Sequence, residues 1–213
     1  MSHGGNDPGA VANNTKEKDL NLQIALACRD YLAQYGVEVK MSRTKDESDP
    51  LSEEIRECNS FSPDLAVDIH NNAGGGDGAE VFHHHGGGKG KTLAINILDE
   101  IKKTGQNSRG AKTRKNTAGQ DYYGFIREIT APAVIVECAF VDNATDLEIL
   151  ATAGKKKSMG QAIAKGILKT LGAEIQGDSI YRVQVGAYSD KSNAEAMLKK
   201  LKAAGFAGYI KQG

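Results

Sequence analysis

The chain has no excess of charge of either sign, no pairable set of cysteines and no long apolar run. Across its 213 residues, Lys+Arg 27 balance Asp+Glu 27. With no net basic field and no long single-sign run, composition gives no reason to expect a nucleic-acid or other polyelectrolyte partner. The cysteines number 3. Cys28, Cys58 and Cys138 each sit inside apolar pattern, and an odd set so placed argues for reduced, buried thiols rather than a disulfide frame. No apolar stretch reaches membrane-spanning length, and no signal-peptide pattern opens the chain. The expectation is a soluble protein without membrane insertion, made in a reducing compartment and released by other means if it acts outside.

Hydrophobic residues make up 39% of the chain, enough for one real core and a small appendage. Glycine is abundant, at 25 residues. Many of these glycines fall in loops at residues 4–9, 74–78 and 86–90, which reads as exposed functional connections. Apolar periodicity predicts helices at residues 14–35, 51–61, 91–103, 143–152 and 156–171, with a shorter one at 121–129. Strands are expected at 37–42, 79–82 and, as short buried runs, 65–72 and 132–141. Residues 107–120 read as a long polar, basic connection facing either substrate or solvent. After a linker at 173–178, residues 180–188 alternate as a half-buried strand. A helix and a further strand at 206–211 complete one small βαβ unit.

Two positions stand out for chemistry. His70 closes the first buried strand at its C-terminal end, where open α/β sheets build sites. Glu137 lies inside the second buried strand, and a carboxylate there needs a partner or a role. A structural salt bridge is the alternative for Glu137. Cys138 points to the opposite face and makes a poor nucleophile candidate. Taken locally, His3 reads as a tail histidine, and Asn14-x-x-Glu17 reads as a helix capping box. The run His83-His84-His85 could bind metal, but it sits between strand and glycine loop without the spacing to aim three rings together, and it reads as an exposed loop, with a site contact as the lesser alternative.

Five motifs then occur in order. They are Ser2-His-Gly-Gly-Asn-Asp-Pro-Gly-Ala10, Lys16-Glu-Lys-Asp-Leu-Asn-Leu22, Asp68-Ile-His-Asn-Asn-Ala73, Ser108-Arg-Gly-Ala-Lys112 and Ala133-Val-Ile-Val-Glu-Cys-Ala-Phe-Val-Asp-Asn143. Together they resemble the zinc N-acetylmuramoyl-L-alanine amidases of the type 3 family over residues 1 to about 172. The resemblance implies an α/β fold, a twisted, mostly parallel sheet with helices on both faces, followed here by the small C-terminal βαβ module. It implies that His3, Glu17 and His70 bind Zn2+, that Glu137 is the catalytic carboxylate, and that Asn72, Arg109 and Lys112 face substrate. The implied reaction is hydrolysis of the amide between N-acetylmuramic acid and L-alanine in bacterial peptidoglycan. A zinc peptidase cutting the stem and a non-catalytic wall binder are the rival readings. In the family the opening His motif follows a strand; only Met1 and Ser2 precede His3 here, so His3 is expected to be weakly anchored. The segment Ile180-Tyr-Arg-Val-Gln-Val-Gly-Ala-Tyr-Ser189 resembles a SPOR peptidoglycan-binding module, of which this chain carries one half. The expected organisation is a catalytic domain at 1–172, a linker at 173–178 and a wall-binding half-module at 179–213 that pairs in a homodimer. The implied setting is a phage or prophage endolysin, with a bacterial autolysin as the alternative.

Overall fold

We describe a computed structural model of the chain, covering residues 3–175, 185–206 and 208–210. It divides into two compact units, Met1–Ile175 and Gln176–Gly213. In the first unit a hairpin of β1 (Val11–Ala12) and β2 (Thr15–Lys16) leads into α1 (Glu17–Ala33) and, after a long loop, α2 (Leu51–Phe61). Then come β3 (Ala66–Asn72), β4 (Ala79–His83), α3 (Gly88–Lys102), β5 (Ser108–Lys112), α4 (Gly124–Glu128), β6 (Ala133–Phe140), α5 (Ala144–Ile149) and α6 (Ala153–Leu171). The second unit contains α7 (Lys191–Ala203).

The central sheet has the order β3-β6-β4-β5. β3 pairs with β6, and β4 with β5, in parallel, while β4 and β6 run antiparallel. The sheet is therefore mostly parallel, with helices on both faces. Strand alternation sorts the core into two layers. Ile69, Val81, Val134, Val136 and Cys138 face α1, α3 and α6. Ala66, Phe82, Ala133 and Ile135 face the opposite way, against Phe125 and Ile126 of α4 and Ile55 of α2. The second layer is thinner, because α2 and α4 are shorter. The polar residues of the same parity, Asp68, His70, Glu80 and Glu137, lie on that side.

α6 approaches its neighbours closely. A Cβ on Gly160 would lie 2.4 Å from the Ile24 carbonyl oxygen, and one on Gly166 would lie 2.5 Å from the Ile97 Cα. Only glycine lets α6 seat against both α1 and α3 at those points.

Several expectations change. The first helix starts at Glu17 rather than residue 14, because Asn13 and Asn14 take left-handed turns with φ 48 and 58 and close the hairpin. Residues 37–42 form no strand. Val37, Val39 and Met41 pack against the core with the expected alternation, but they make no ladder with β3. This segment and β3 instead line a groove of about 600 Å³. Within the polar connection at 107–120, residues 108–112 form β5, a sheet edge where charged side chains keep the strand from pairing further. In the tail, the expected helix is present as α7. The expected strand at 180–188 falls mostly outside the described residues, and described residues 185–188 carry no strand. Of 206–211, the described residues 206 and 208–210 carry none either.

Candidate active site

Register builds the site. In the parallel pair His70 lies beside Glu137, and in the antiparallel pair Glu80 lies beside Glu137 from the other side. Three neighbouring strands thus set His70, Glu137 and Glu80 in one row on one face. The first turn of α1 adds Glu17, and the glycine loop before the hairpin adds His3.

His3, Glu17 and His70 converge: one donor atom from each lies within 4.8 Å of the others. His70 Nδ1 is 2.8 Å from Glu17 Oε1, and His3 Nε2 is 3.6 Å from Glu17 Oε2. Each imidazole has its other nitrogen against a carboxylate. His3 Nδ1 is 2.8 Å from Asp7 Oδ2, and His70 Nε2 is 3.0 Å from Asp68 Oδ2. A carboxylate behind a histidine fixes the tautomer that leaves the inner nitrogen available as a metal ligand. Two imidazoles and one carboxylate with their inner atoms turned together is a donor set suited to zinc.

Glu17 makes no capping box. Lys16 is the N-cap, with no side-chain cap hydrogen bond. Glu17 Oε2 accepts from the Ala10 amide at 2.9 Å. Glu17 Oε1 accepts from the Asn71 amide and from Asn21 Nδ2, both at 3.2 Å. Asn71 Nδ2 in turn donates to Asn21 Oδ1 at 2.8 Å. These buried amides aim the carboxylate inward from behind. The reach of Glu17 to Ala10 depends on the hairpin turn, which sequence spacing did not reveal.

The loop bearing His3 is tied down from the side. The Gly5 amide donates to Asp46 Oδ1 at 2.8 Å, and Lys18 Nζ bridges the Gly5 carbonyl at 2.8 Å and Asp46 Oδ2 at 2.6 Å. Buried Arg43 beneath it donates to the Lys18 carbonyl at 2.7 Å. Gly9 sits where a Cβ would lie 2.6 Å from Glu17 Oε2 and 2.9 Å from His3 Cδ2.

The electrostatics are strained toward negative charge. Burial works against a charged His70, yet Asp68 and Glu17 outweigh it and raise its pKa to about 10. Burial also raises Asp68 and Glu17, but the His70 imidazolium holds both below their ordinary values. Glu137 goes the other way. Burial, opposed by His70 and reinforced by Glu17, Asp68 and Glu80, raises it to about 7. Its Oε2 is buried with no hydrogen-bond partner, so the salt-bridge alternative for Glu137 has no support among the described residues. Cys138 points into the α1, α3 and α6 core. Burial raises its thiol well above the ordinary value, which removes it as a nucleophile.

The expected substrate-facing residues gather on Glu80. Arg109 Nε donates to Glu80 Oε2 at 2.7 Å, Lys112 Nζ pairs with the same oxygen, and Asn72 Nδ2 donates to Glu80 Oε1 at 3.2 Å. The Arg109 guanidinium also lies 5.1 Å from the centre of the Phe140 ring. Asp7, Asp68 and Glu80 were not singled out from the sequence. Asp68 was within reach of it: two residues before His70 on a strand, it shares the face of His70.

The comparisons fit this geometry. Residues 1–169 match the family described as N-acetylmuramoyl-L-alanine amidase, and residues 153–212 match the SPOR domain. The second match begins within α6, which packs in the first unit. The N-acetylmuramoyl-L-alanine amidase CwlM of Bacillus licheniformis is 35% identical over 212 residues, 98% of this chain and 81% of the relative. An endolysin of Bacillus phage SPP1 is 33% identical over 178 residues, 79% of this chain and 63% of the relative. The solved catalytic domain of CwlV, an N-acetylmuramoyl-L-alanine amidase from Bacillus (Paenibacillus) polymyxa var. colistinus, superposes with a TM-score of 0.72 at 27% identity, covering 81% of this chain and 95% of that one. On these matches, and on the sheet that carries His70 beside Glu137, the chain belongs to the N-acetylmuramoyl-L-alanine amidase family.

Proposed function

We propose that this amidase is zinc-dependent and hydrolyses the amide joining N-acetylmuramic acid to L-alanine in bacterial peptidoglycan. The observation that carries the reading is the pair of histidines, each backed by its own carboxylate, turned toward Glu17 with Glu137 on the next strand. His3 Nε2, His70 Nδ1 and a Glu17 oxygen would hold the ion. Four carboxylates, Asp7, Glu17, Asp68 and Glu137, surround two imidazoles. Without a cation, protonation of His70 supplies compensating charge among these six groups, which is why its pKa is raised; a dication is a natural replacement for that proton. When bound, zinc supplies Lewis acidity, which acidifies water and polarises a carbonyl.

The remaining steps belong to the chain. Glu137, beside His70 on the neighbouring strand and with its Oε2 unpartnered among the described residues, is placed to accept a proton and give it back. It takes a proton from the attacking water and passes it to the nitrogen leaving as the amino group of L-alanine. Asn72, Arg109 and Lys112, ordered by Glu80, position the substrate beside it. We assign residues 1–172 to catalysis, 173–178 to a linker and 179–213 to wall binding, and we place the action at the bacterial cell wall. An endolysin setting rests on the phage relative.

Mass spectrometry of purified peptidoglycan after incubation tests the reaction. The expected products are stem peptides with a free L-alanine amino terminus and intact glycan strands. A new amine elsewhere in the stem would make the protein a peptidase, and no cleavage with zinc supplied would leave a binding protein. Glu137→Gln is expected to keep zinc, counted by elemental analysis, while kcat falls by about 10²–10⁴; retained turnover would defeat the role given to Glu137.

A further inference from the structure

A second group of metal-ligating side chains meets at the far end of β4. That strand has Glu80 beside Glu137 near its start and ends with His83 beside Val134, so the loop beyond His83 lies away from the row of site residues. There the chain turns through His84, His85 and three glycines. Asp121 approaches from a separate segment, braced by a bridge to Lys115 and by Arg127 Nη1, which donates to the Asp121 carbonyl at 2.9 Å.

The Asp121 side chain is 3% exposed. Its Oδ1 accepts from the His85 amide at 2.9 Å, which is sufficient to hold the loop. Its Oδ2 does something further: it lies 3.0 Å from His84 Nε2 and 2.9 Å from His85 Nδ1. The two rings stack with centroids 4.5 Å apart. One donor atom from each of the three residues lies within 4.8 Å of the others. Ligands about 2.0–2.1 Å from a tetrahedral ion stand about 3.3 Å apart, so the two Asp121 contacts need only a few tenths of an ångström of opening to admit one. The side chains of His84 and His85 are 53% and 35% exposed, which leaves solvent to fill the remaining positions.

We propose that His84, His85 and Asp121 form a second divalent-metal site, for an ion of the Zn2+ or Ni2+ class, separate from the catalytic cluster. Two imidazoles and one carboxylate suit such an ion better than Ca2+ or Mg2+, which prefer oxygen alone. The protons balance without loss. In the ion-free form the Gly86 amide donates to His84 Nδ1 at 3.0 Å, so the His84 proton sits on Nε2, toward Asp121. Coordination through Nε2 moves that proton to Nδ1, and the ring turns from Gly86 to water. The His85 proton moves from Nδ1 to Nε2 in the same way. The ion ties the loop after β4 to the segment ahead of α4, and so stabilises the fold by mass action.

The test is a metal count on the full chain, stripped of metal and then dialysed against Zn2+. The expected result is two ions per chain, falling to one in the double variant His84→Ala, His85→Ala, with peptidoglycan hydrolysis unchanged. Asp121→Asn is expected to lose the same ion. If that buried position fails to fold, the double variant on the exposed loop carries the test alone. An unchanged count in the double variant, or loss of every bound ion in Glu17→Ala, overturns the proposal.

Discussion

Glu80 is a buried carboxylate that orders two cations and an amide beside Glu137. Burial raises its proton affinity, but Lys112 and Arg109 more than reverse this and leave its pKa lowered. A group whose folded pKa is lowered contributes stability above its unfolded value, about 4.3 for Glu, and loses it as pH falls through the folded value. Glu80→Gln is therefore expected to remove part of the acid sensitivity of folding. It is also expected to free Arg109 and Lys112 from their fixed positions, raising KM about tenfold with little change in kcat. Steady-state kinetics on a soluble muropeptide checks this, and an equal loss in kcat with KM unmoved would assign Glu80 to the chemical step instead. Gly9 offers a second test at this scale, with its φ of +64 and the Glu17 and His3 side chains under 3 Å from any added Cβ. Gly9→Ala is expected to weaken zinc binding about 10–100-fold, in the range seen when the groups supporting metal ligands are disturbed. Competition with a coloured chelator measures it; wild-type affinity would mean the loop yields without moving its ligands.

Among the elements, α6 is the keystone of the thicker layer, packed on α1 and α3 at once. Gly160→Val places carbon against the Ile24 carbonyl, where backbone rather than a flexible side chain must give way. The expected loss is about 3 kcal/mol, at the upper end of ordinary overpacking, read as a lower urea midpoint at unchanged slope. A change within about 0.5 kcal/mol would show that the two helices slide apart freely. The elements that periodicity identified are those whose apolar residues face a core: α1, α2, α3, β3, β6 and α6 all follow from the spacing of Ile, Leu and Val. Elsewhere the pattern misleads, for identifiable reasons. Val37, Val39 and Met41 keep a strand's alternation because they face the core, but alternation records burial and not pairing. Ser108–Lys112 hides a strand because an edge is polar on purpose. At the site, His70 and Glu137 were legible because polar side chains interrupt apolar runs. The placement of Glu17 and His3 was not, since it depends on two left-handed asparagines and a buried Arg43 whose roles appear only in three dimensions. Family motifs supplied what periodicity lacked.

At the scale of the whole molecule, the two units differ in how they are held. The first has a double-layered core, while α7 in the second buries no residue. Val185, Tyr188, Phe206, Tyr209 and Ile210 are exposed there. The SPOR match at 153–212 spans both units but begins in α6, which the first core requires. A truncation after Ile175 therefore keeps α6 and everything it packs against. The shortened chain is expected to fold, with a melting temperature within a few degrees of the full chain, and to hydrolyse soluble muropeptides at the full rate. Its binding to insoluble walls should fall, measured as the fraction that sediments with them. If it sediments as completely as the full chain, wall affinity resides in the first unit. The apolar side chains of the second unit would then face another protein, and the homodimer expected from a half-module becomes the next thing to measure, by sedimentation velocity across a concentration series. Loss of hydrolysis in the shortened chain would instead mean that the second unit contributes to the reaction, since every residue assigned to the site lies at or before Glu137.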